Sequence, residues 1–248
     1  MKALTDIHTH TLPGIDDGAQ TFLDTKRLMK QSVQKGVKRF VFTPHFYPES
    51  MNIDDFLKNR EQAVKSVGKL AKKMKIRFRV GAEIQFTPVL DTLPLKDLSI
   101  SGTPYVLLEL LPQYEPYDAV GLIQRIRSLG YIPILAHVER FHYIKENPVF
   151  LYELIQAGAL AQINAGWILK NPGSKKRLQQ YFRWNLIHVM ASDMHSVDRR
   201  PQNLADAYAA IPLEIAMTFQ TNAEMIFNGD IVKPEIPIKP KRMFGHWR

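Results

Sequence analysis

The stretch Asp6–Gly18, DIHTHTLPGIDDG, ends an apolar run with two histidines and continues into a turn with two aspartates. Residues two apart on a strand point the same way, so His8 and His10 should share one face, with Asp6 one layer deeper. Turn chemistry alone accounts for Asp16, because aspartate is common in turns. The pattern predicts half of a metal site whose other ligands lie far along the chain.

One unit recurs through the chain: an apolar run, a polar loop and then an amphipathic stretch. The predicted strands are Leu4–His8, Arg39–Thr43, Arg77–Glu83, Tyr105–Glu109, Ile132–His137, Ala159–Asn164 and Leu186–Ser192. The predicted helices are Phe22–Lys35, Asp55–Met74, Tyr117–Leu129, Pro148–Ala157, Ser174–Trp184 and Pro201–Ala210. The expected helix caps are Thr21, Asp54, Gly36, Gly130 and Gly158. This alternation predicts an α/β fold with a parallel sheet covered by helices.

Metal-capable side chains stand at the end of nearly every predicted strand. They are His8, His10, His45, Glu83, Glu109, His137, Asp193 and His195. In a (β/α) barrel the carboxyl ends of the strands converge on one face, where active sites lie. We therefore expect one barrel-like domain over residues 1–248, with a basic, proline-containing tail from about residue 231. An open doubly wound sheet is the alternative, although no dinucleotide-binding glycine fingerprint follows the first strand.

Composition excludes several classes of protein. The 248 residues contain no cysteine, which rules out disulfides, thiolate metal sites and cysteine nucleophiles. The net charge of +9 suggests an anionic partner. Nucleic acid is not expected, because the basic segments lack base-reading motifs. No apolar run is long enough to span a bilayer and no signal-peptide pattern is present, so we expect a cytoplasmic protein.

The donor types indicate which metals the site would take. Histidine and carboxylate without sulfur suit manganese, iron or zinc better than magnesium or calcium. Glu109 lies between leucines, where an acid is costly unless it is paired or bound to a metal. The candidates outnumber the ligands of one ion, so we expect two or more ions that activate water for a displacement. Glu139 is interpreted as an exposed loop acid.

The order of motifs carries a resemblance to a known family. HTHTLPGIDDG, TPH, GAE, the glutamate of LLELL, AHVER and SDMH resemble the polymerase-and-histidinol-phosphatase (PHP) superfamily. More closely, they resemble its bacterial protein tyrosine phosphatases of the CpsB type, which act in capsule and exopolysaccharide control. The resemblance runs from Asp6 to Pro201. It implies a distorted (β/α)7 barrel with three divalent ions at the carboxyl ends of the strands, manganese being expected and iron or zinc the alternatives.

The resemblance also implies a role for each site residue. The first ion would be held by His8, His10, Glu83 and Asp193. Glu83 would bridge to a second ion, whose other ligands would be Glu109 and His137. The third ion would be held by Asp17, His45 and His195. The phosphate-gripping arginines of the family match Arg140 and Arg200, with Arg199 as the alternative to Arg200. Asn164 is a secondary candidate.

The implied activity is hydrolysis of phosphotyrosine on a protein. The implied partner is the tyrosine-rich tail of an autophosphorylated bacterial tyrosine kinase. A phosphocysteine intermediate is impossible without cysteine, so we expect direct in-line attack by a metal-activated hydroxide. Arg140, Arg200 and the metals would stabilise the charge on the phosphoryl oxygens. Three alternatives stay open. They are a PHP phosphoesterase for a small molecule such as histidinol phosphate, a metal amidohydrolase, and a metal-stabilised non-catalytic module that binds a phosphoprotein. Amidohydrolases usually carry a bridging lysine near strand four, where this chain has Glu109.

Overall fold

The computed structural model describes residues 3–171, 173–243 and 246–247, which form an α/β fold. The strands are β1 (Leu4–Thr9), β2 (Val37–Phe42), β3 (His45–Phe46), β4 (Arg77–Val80), β5 (Glu83–Gln85), β6 (Tyr105–Glu109), β7 (Ile132–Leu135), β8 (Leu160–Asn164), β9 (Val189–Ala191), β10 (Arg242–Met243) and β11 (His246–Trp247). The helices are α1 (Phe22–Gln34), α2 (Ile53–Lys73), α3 (Leu95–Leu98), α4 (Ala119–Ser128), α5 (His142–Glu146), α6 (Pro148–Gln156), α7 (Ala165–Lys170), α8 (Ser174–Arg183), α9 (Leu204–Ala209) and α10 (Leu213–Asn228). Two 3₁₀ turns are Leu90–Thr92 and Val138–Arg140.

The strands that position the site are parallel and lie in two sheets. A three-stranded sheet has the order β1-β2-β4, and a six-stranded sheet has the order β3-β5-β6-β7-β8-β9. The break between β2 and β3 falls at Pro44, which has no N–H to donate to a ladder. Individual hydrogen bonds connect the end of β1 to the loop after β9, from Asp193 N to His8 O at 3.1 Å and from His10 N to Met194 O at 3.0 Å. The closed seven-stranded ladder expected from the sequence is therefore not confirmed.

Most predicted helices and caps are present, with small differences in their ends. Thr21 caps α1 in a reciprocal capping box with Asp24. The prediction of Asp54 as the cap of the next helix is wrong, because α2 begins earlier and the Asn52 side chain accepts from Asp55 N at 3.1 Å. Gly36, Gly130 and Gly158 all have positive φ, as expected for residues that end helices.

Helix α10 received no assignment from the sequence. It packs against β1 and β9, and its buried side chains include Phe219, Ile226 and Phe227. Ile226 and Phe227 join an apolar cluster with strand residues such as Leu107 and Ile134. The helix therefore completes the apolar core that supports the strands below the site.

The chain after α10 is mostly exposed and has no regular secondary structure before β10. We call residues 230–247, as far as they are described, the C-terminal strap. Tyr105 Oη donates to Asp230 O at 2.8 Å and accepts from Val232 N at 2.8 Å. Ile238 N then donates to Trp184 O at 2.9 Å. At the end of the strap, Trp247 Nε1 donates to Glu146 O at 3.0 Å. The strap thus connects the region below the strands to helix α5.

Among the described residues, no helix combines the length and the apolar character that crossing a membrane requires.

Candidate metal centre

All nine predicted metal ligands meet in one cluster at the carboxyl ends of the parallel strands. They are His8, His10, Asp17, His45, Glu83, Glu109, His137, Asp193 and His195. Most of these side chains are buried, whereas that of Glu109 is partly exposed and that of Asp17 is 67% exposed. The exposed fraction of Asp17 marks the side on which the cluster opens to solvent.

Glu83 lies at the centre of the cluster. Its Oε2 is 3.1 Å from Nε2 of His8, 3.1 Å from Nε2 of His10 and 3.1 Å from Nδ1 of His45. Its Oε1 is 2.8 Å from Nε2 of His137. The two oxygens of one fully buried carboxylate therefore face different histidines, as a carboxylate that bridges two cations would.

Potential ligand atoms form three overlapping groups, within each of which the atoms lie no more than 4.8 Å apart. The groups are His8–His10–Asp193, His45–Glu83–Glu109 and His10–Asp17–His45–His195. The first and third largely follow the sets implied by the resemblance. The differences are that the first group lacks Glu83, that His10 also joins the third group, and that His45 takes the place of His137 beside the two glutamates.

Asp193 connects the histidine cluster to the two predicted arginines. Its Oδ1 is 3.5 Å from Nε2 of His8, while its Oδ2 accepts hydrogen bonds from Nη2 of both Arg140 and Arg200. Asn164 Nδ2 donates to the same Oδ2 at 2.7 Å. Arg200, and not Arg199, is thus the arginine that binds Asp193. Arg199 lines a neighbouring cavity with Asp17 and His195.

Three histidine rings are oriented by an oxygen atom that accepts a hydrogen bond from their Nδ1. His8 Nδ1 donates to Gln162 Oε1 at 3.0 Å, and His10 Nδ1 faces Asp16 Oδ2 at 2.7 Å. His195 Nδ1 donates to the carbonyl oxygen of Asp193 at 3.0 Å. A histidine whose Nδ1 carries the proton presents the Nε2 lone pair, and such outer-shell acceptors are typical of metal-ligating histidines.

The cluster therefore fits a cation. Nε2 of His8 and Nε2 of His10 lie 3.0 Å apart, so two lone pairs would repel unless a positive charge lay beside them. Within the described chain, Glu83 Oε2, Asp193 Oδ1 and His195 Nε2 are buried without a hydrogen-bond partner. Buried polar atoms are rarely left unpaired, and all three point into the cluster. Divalent ions would satisfy them.

The electrostatics of the cluster are strongly coupled. Burial would lower the pKa of His10, but the adjacent carboxylates of Asp16 and Glu83 outweigh it and raise that pKa to about 10. Burial raises the pKa of Glu109 to about 7, and the neighbouring Glu83 carboxylate adds to this effect. In the protein without metal, protons on the cluster thus take the place of bound cations.

Local backbone geometry brings several of these groups to the site. His137 and Asp193 are the second residues after β7 and β9, and both adopt positive φ, 33° and 54°. This turns the chain sharply enough for Arg140 and His195 to return to the cluster. Gly18 allows the first loop to fold back, because a Cβ there would lie 2.1 Å from His10 O.

Several site residues were missed or underestimated from the sequence. Gln162 accepts from both His8 Nδ1 and His137 N, and its Nε2 donates to Asn164 Oδ1 at 2.7 Å. Gln162 and Asn164 stand two apart in the apolar strand LAQIN, the same signal that singled out His8 and His10.

Three acids also need their sequence interpretation revised. The interpretation of Glu139 as an exposed loop acid is wrong: burial raises its pKa to about 7, and its Oε1 accepts from Asn164 N at 3.3 Å. Asp16 does more than form a turn, because it also accepts from His45 N at 3.1 Å. Asp6 accepts from Ser192 N at 3.0 Å and so positions the loop that carries Asp193.

An open cavity of about 470 Å³ adjoins the cluster on its arginine side. Arg140, Asp193 and Arg200 form the part of its wall next to the cluster, and Phe141 and Trp167 add aromatic surface. A bound group could therefore touch both arginines and the edge of the metal cluster at once.

Comparison with known proteins places this arrangement in a family. The family profile for capsular polysaccharide synthesis, CpsB/CapC, matches residues 4–229.

The chain belongs to the CpsB/CapC family.

Relatives and solved structures agree with this assignment, and the resemblance inferred from the motifs is confirmed. The chain is 30% identical to tyrosine-protein phosphatase YwqE of Bacillus subtilis over 98% of its own length and 99% of that protein. It is 31% identical to tyrosine-protein phosphatase CpsB of Streptococcus pneumoniae over 84% of its length and 89% of that protein. A structure from crystallographic work on YwqE and S. pneumoniae CpsB, described as unique metal-dependent tyrosine phosphatases, superposes with a TM-score of 0.84 at 28% identity, covering 96% of this chain and 99% of that one.

Proposed function

We propose that this CpsB/CapC family member is a metal-dependent protein tyrosine phosphatase. The observation that carries the proposal is the convergence of Arg140 and Arg200 on Asp193, whose other oxygen faces the histidine cluster. Guanidinium groups bind phosphoryl oxygens through paired N–H donors. The names of the relatives and the absence of cysteine support hydrolysis through metal chemistry rather than through a thiolate.

The proposal includes three divalent ions, with manganese expected and iron or zinc as alternatives. The three ligand groups and their nitrogen and oxygen donors support this number and these metals. We assign the first ion to His8, His10, Glu83 and Asp193, the second to Glu83, Glu109 and His137, and the third to Asp17, His45 and His195. When bound, such ions activate water as a nucleophile and neutralise charge on the phosphoryl group.

The chain itself would hold and orient the substrate. Arg140 and Arg200 would grip the phosphoryl oxygens from one side while Asp193 keeps both guanidinium groups aimed at the cluster. A chain of hydrogen bonds runs from His8 through Gln162 and Asn164 to Asp193. It would keep the metal ligands in a fixed position relative to Asp193, to which both arginines bind. Preorganised donors of this kind stabilise developing charge without reorganising during the reaction.

The finer architecture and the cellular role belong to the same proposal. We assign the two parallel sheets to a distorted (β/α)7 barrel within one domain; the hydrogen bonds between β1 and the loop after β9 support this. The substrate would be an autophosphorylated bacterial tyrosine kinase with a tyrosine-rich tail, acting in capsule or exopolysaccharide synthesis. Since such a kinase draws on cytoplasmic ATP, the phosphatase would work in the cytoplasm.

The substrate class can be tested directly. The manganese-loaded protein should hydrolyse a phosphotyrosine peptide with a kcat/KM at least about tenfold above that for histidinol phosphate. A phenolate, whose conjugate acid has a pKa of about 10, leaves more readily than an alkoxide, and the cavity is open to solvent as a peptide substrate requires. A preference for histidinol phosphate would favour the small-molecule alternative. Failure to hydrolyse any phosphoester, together with retained peptide binding, would favour the non-catalytic module.

Chelation and thiol alkylation should differ in their effect on phosphatase activity. Removing metal with a chelator should abolish turnover and lower the melting temperature, because ions that bind only the folded state stabilise it. Adding manganese back should restore both. An excess of a thiol-alkylating reagent should leave the rate unchanged, since the chain has no cysteine. Loss of activity on alkylation, or survival of activity in a protein shown by elemental analysis to be metal-free, would contradict the proposal.

A further inference from the structure

The cavity beside the two arginines continues into a smaller recess. This second cavity has a volume of about 190 Å³, and we call it the cationic alcove. Its lining residues are Lys145, Trp167, Asn171, Gly173, Ser174 and Arg177. Lys145, Trp167, Asn171 and Arg177 also line the larger cavity, so the two spaces share a wall. A ligand held by Arg140 and Arg200 could therefore extend into the alcove.

The alcove is positively charged. Lys145 and Arg177 contribute two cations, and none of the described lining residues is acidic. Within the described ranges, neither side chain takes part in any of the ion pairs recorded for the protein, in contrast to Arg140 and Arg200, which both bind Asp193. Ser174 begins helix α8, so the positive end of that helix dipole adds to the potential.

The two helices that carry these cations contact the same segment of the chain. Lys145 lies on α5 and Arg177 on α8. The C-terminal strap contacts both helices: Trp247 Nε1 donates to Glu146 O at 3.0 Å, and Gln180 Nε2 donates to Trp247 O at 2.6 Å. The strap therefore connects the two helices that carry the cations. Two cations on connected helices stay closer to one geometry than two on independent segments, which lowers the cost of binding an anion between them.

We propose that the cationic alcove binds a second anionic group on the same peptide, close in sequence to the phosphotyrosine being hydrolysed. Trp167 lines both cavities and offers an aromatic surface to a peptide that spans them. The group is either a second phosphate or a carboxylate, because both are recognised by paired lysine and arginine donors. Lys145 and Arg177 would then determine which phosphotyrosines are preferred. This inference rests on the proposed phosphatase function.

The test compares peptides that differ only in the second anion. A reference peptide carries one phosphotyrosine among neutral residues. Its derivatives carry, one to four residues away on either side, the non-hydrolysable phosphonate analogue of phosphotyrosine, a glutamate or a glutamine. With the manganese-loaded protein, at least one phosphonate or glutamate position should raise kcat/KM about fivefold or more over glutamine, and the gain should shrink with added salt. Comparison of the phosphonate and glutamate peptides distinguishes the two anions.

The variants identify the alcove as the origin of the gain. Lys145→Ala combined with Arg177→Ala should remove the gain, which is measured within each protein as the ratio of kcat/KM between the anionic peptide and its glutamine counterpart. Any general loss from residues that also line the larger cavity cancels in this ratio. Lys69→Ala combined with Lys72→Ala, on the exposed face of α2, lowers the net charge equally and should keep the gain. A gain that survives in the first double variant, or the absence of any gain in the wild-type protein, would overturn the inference.

Equilibrium binding separates this inference from the proposed function. Fluorescence anisotropy with non-hydrolysable peptides that carry one or two phosphonates requires no turnover. Tighter binding of the doubly charged peptide, lost in the Lys145→Ala, Arg177→Ala protein, would support the alcove even if no peptide were hydrolysed. Turnover of the reference peptide without any effect of the second anion would refute the alcove and leave the phosphatase proposal intact.

Discussion

Replacement of Glu83 by glutamine should lower phosphatase turnover by about three orders of magnitude or more, the largest effect expected from any single substitution. Both oxygens of Glu83 face histidine nitrogens within about 3 Å, so an amide would direct its NH₂ group at a lone pair and remove the negative charge that attracts cations. The amide is almost isosteric, which isolates charge from packing. Steady-state kinetics and elemental analysis after dialysis against manganese measure the loss of activity and of bound metal.

The melting temperature provides a second measure of the Glu83→Gln effect. The wild-type protein should gain stability when manganese is added, and the variant should gain much less. Glu61→Gln on α2 is the matched control, since Glu61 is exposed and pairs only with Lys65 four residues away, at 2.6 Å. It should retain full activity and metal content. Full metal occupancy and normal turnover in Glu83→Gln would refute the central role of this carboxylate.

Loss of either arginine should reduce kcat/KM for a phosphotyrosine peptide by about 10²- to 10³-fold, the range known for removal of one transition-state donor. Arg140→Ala and Arg200→Ala should act mainly on kcat, since charge on the phosphoryl oxygens grows in the transition state. Arg140→Lys should recover only part of the rate, because an ammonium group cannot make paired planar hydrogen bonds. The double substitution should cost less than the product of the single effects, because both groups share Asp193.

Arg199→Ala is the matched control for Arg200→Ala. Arg199 is the adjacent residue with the same charge, but it is exposed and does not line the cavity beside Asp193. Its removal should change kcat/KM by no more than about twofold. An Arg199→Ala effect as large as that of Arg200→Ala would contradict the assignment of phosphate binding to Arg200. Metal content should be unchanged in all of these arginine variants.

The candidate ligands could be predicted from the sequence because each one ends or follows an apolar run. A polar, metal-capable side chain in such a place is costly unless it is paired, so its position alone is informative. Glu109 between leucines and His137 after IPILA are examples. Asp17 is different, because its exposed place in a loop carries no such signal, and only the resemblance to a family indicated it.

Other features could not be predicted, for identifiable physical reasons. The division into two sheets depends on Pro44 and on strand pairings that are set by tertiary packing rather than by local pattern. Asn52 and Asp54 are both good N-cap residues, so sequence alone could not choose between them. The alcove combines Lys145 and Arg177 from helices 32 residues apart, and a lysine or arginine in an amphipathic stretch is ordinarily a solvated surface residue.

The positive φ angles of His137 and Asp193 have an evolutionary consequence. A left-handed backbone costs a residue with a Cβ atom about 1 kcal/mol or more, and glycine avoids most of this cost. Selection for folding alone would therefore favour glycine at positions 137 and 193, as it has at Gly36, Gly130 and Gly158. A histidine and an aspartate stand there instead. Glycine at either position would relieve the backbone and remove a candidate ligand at once, so folding stability and chemistry make opposite demands on these two residues.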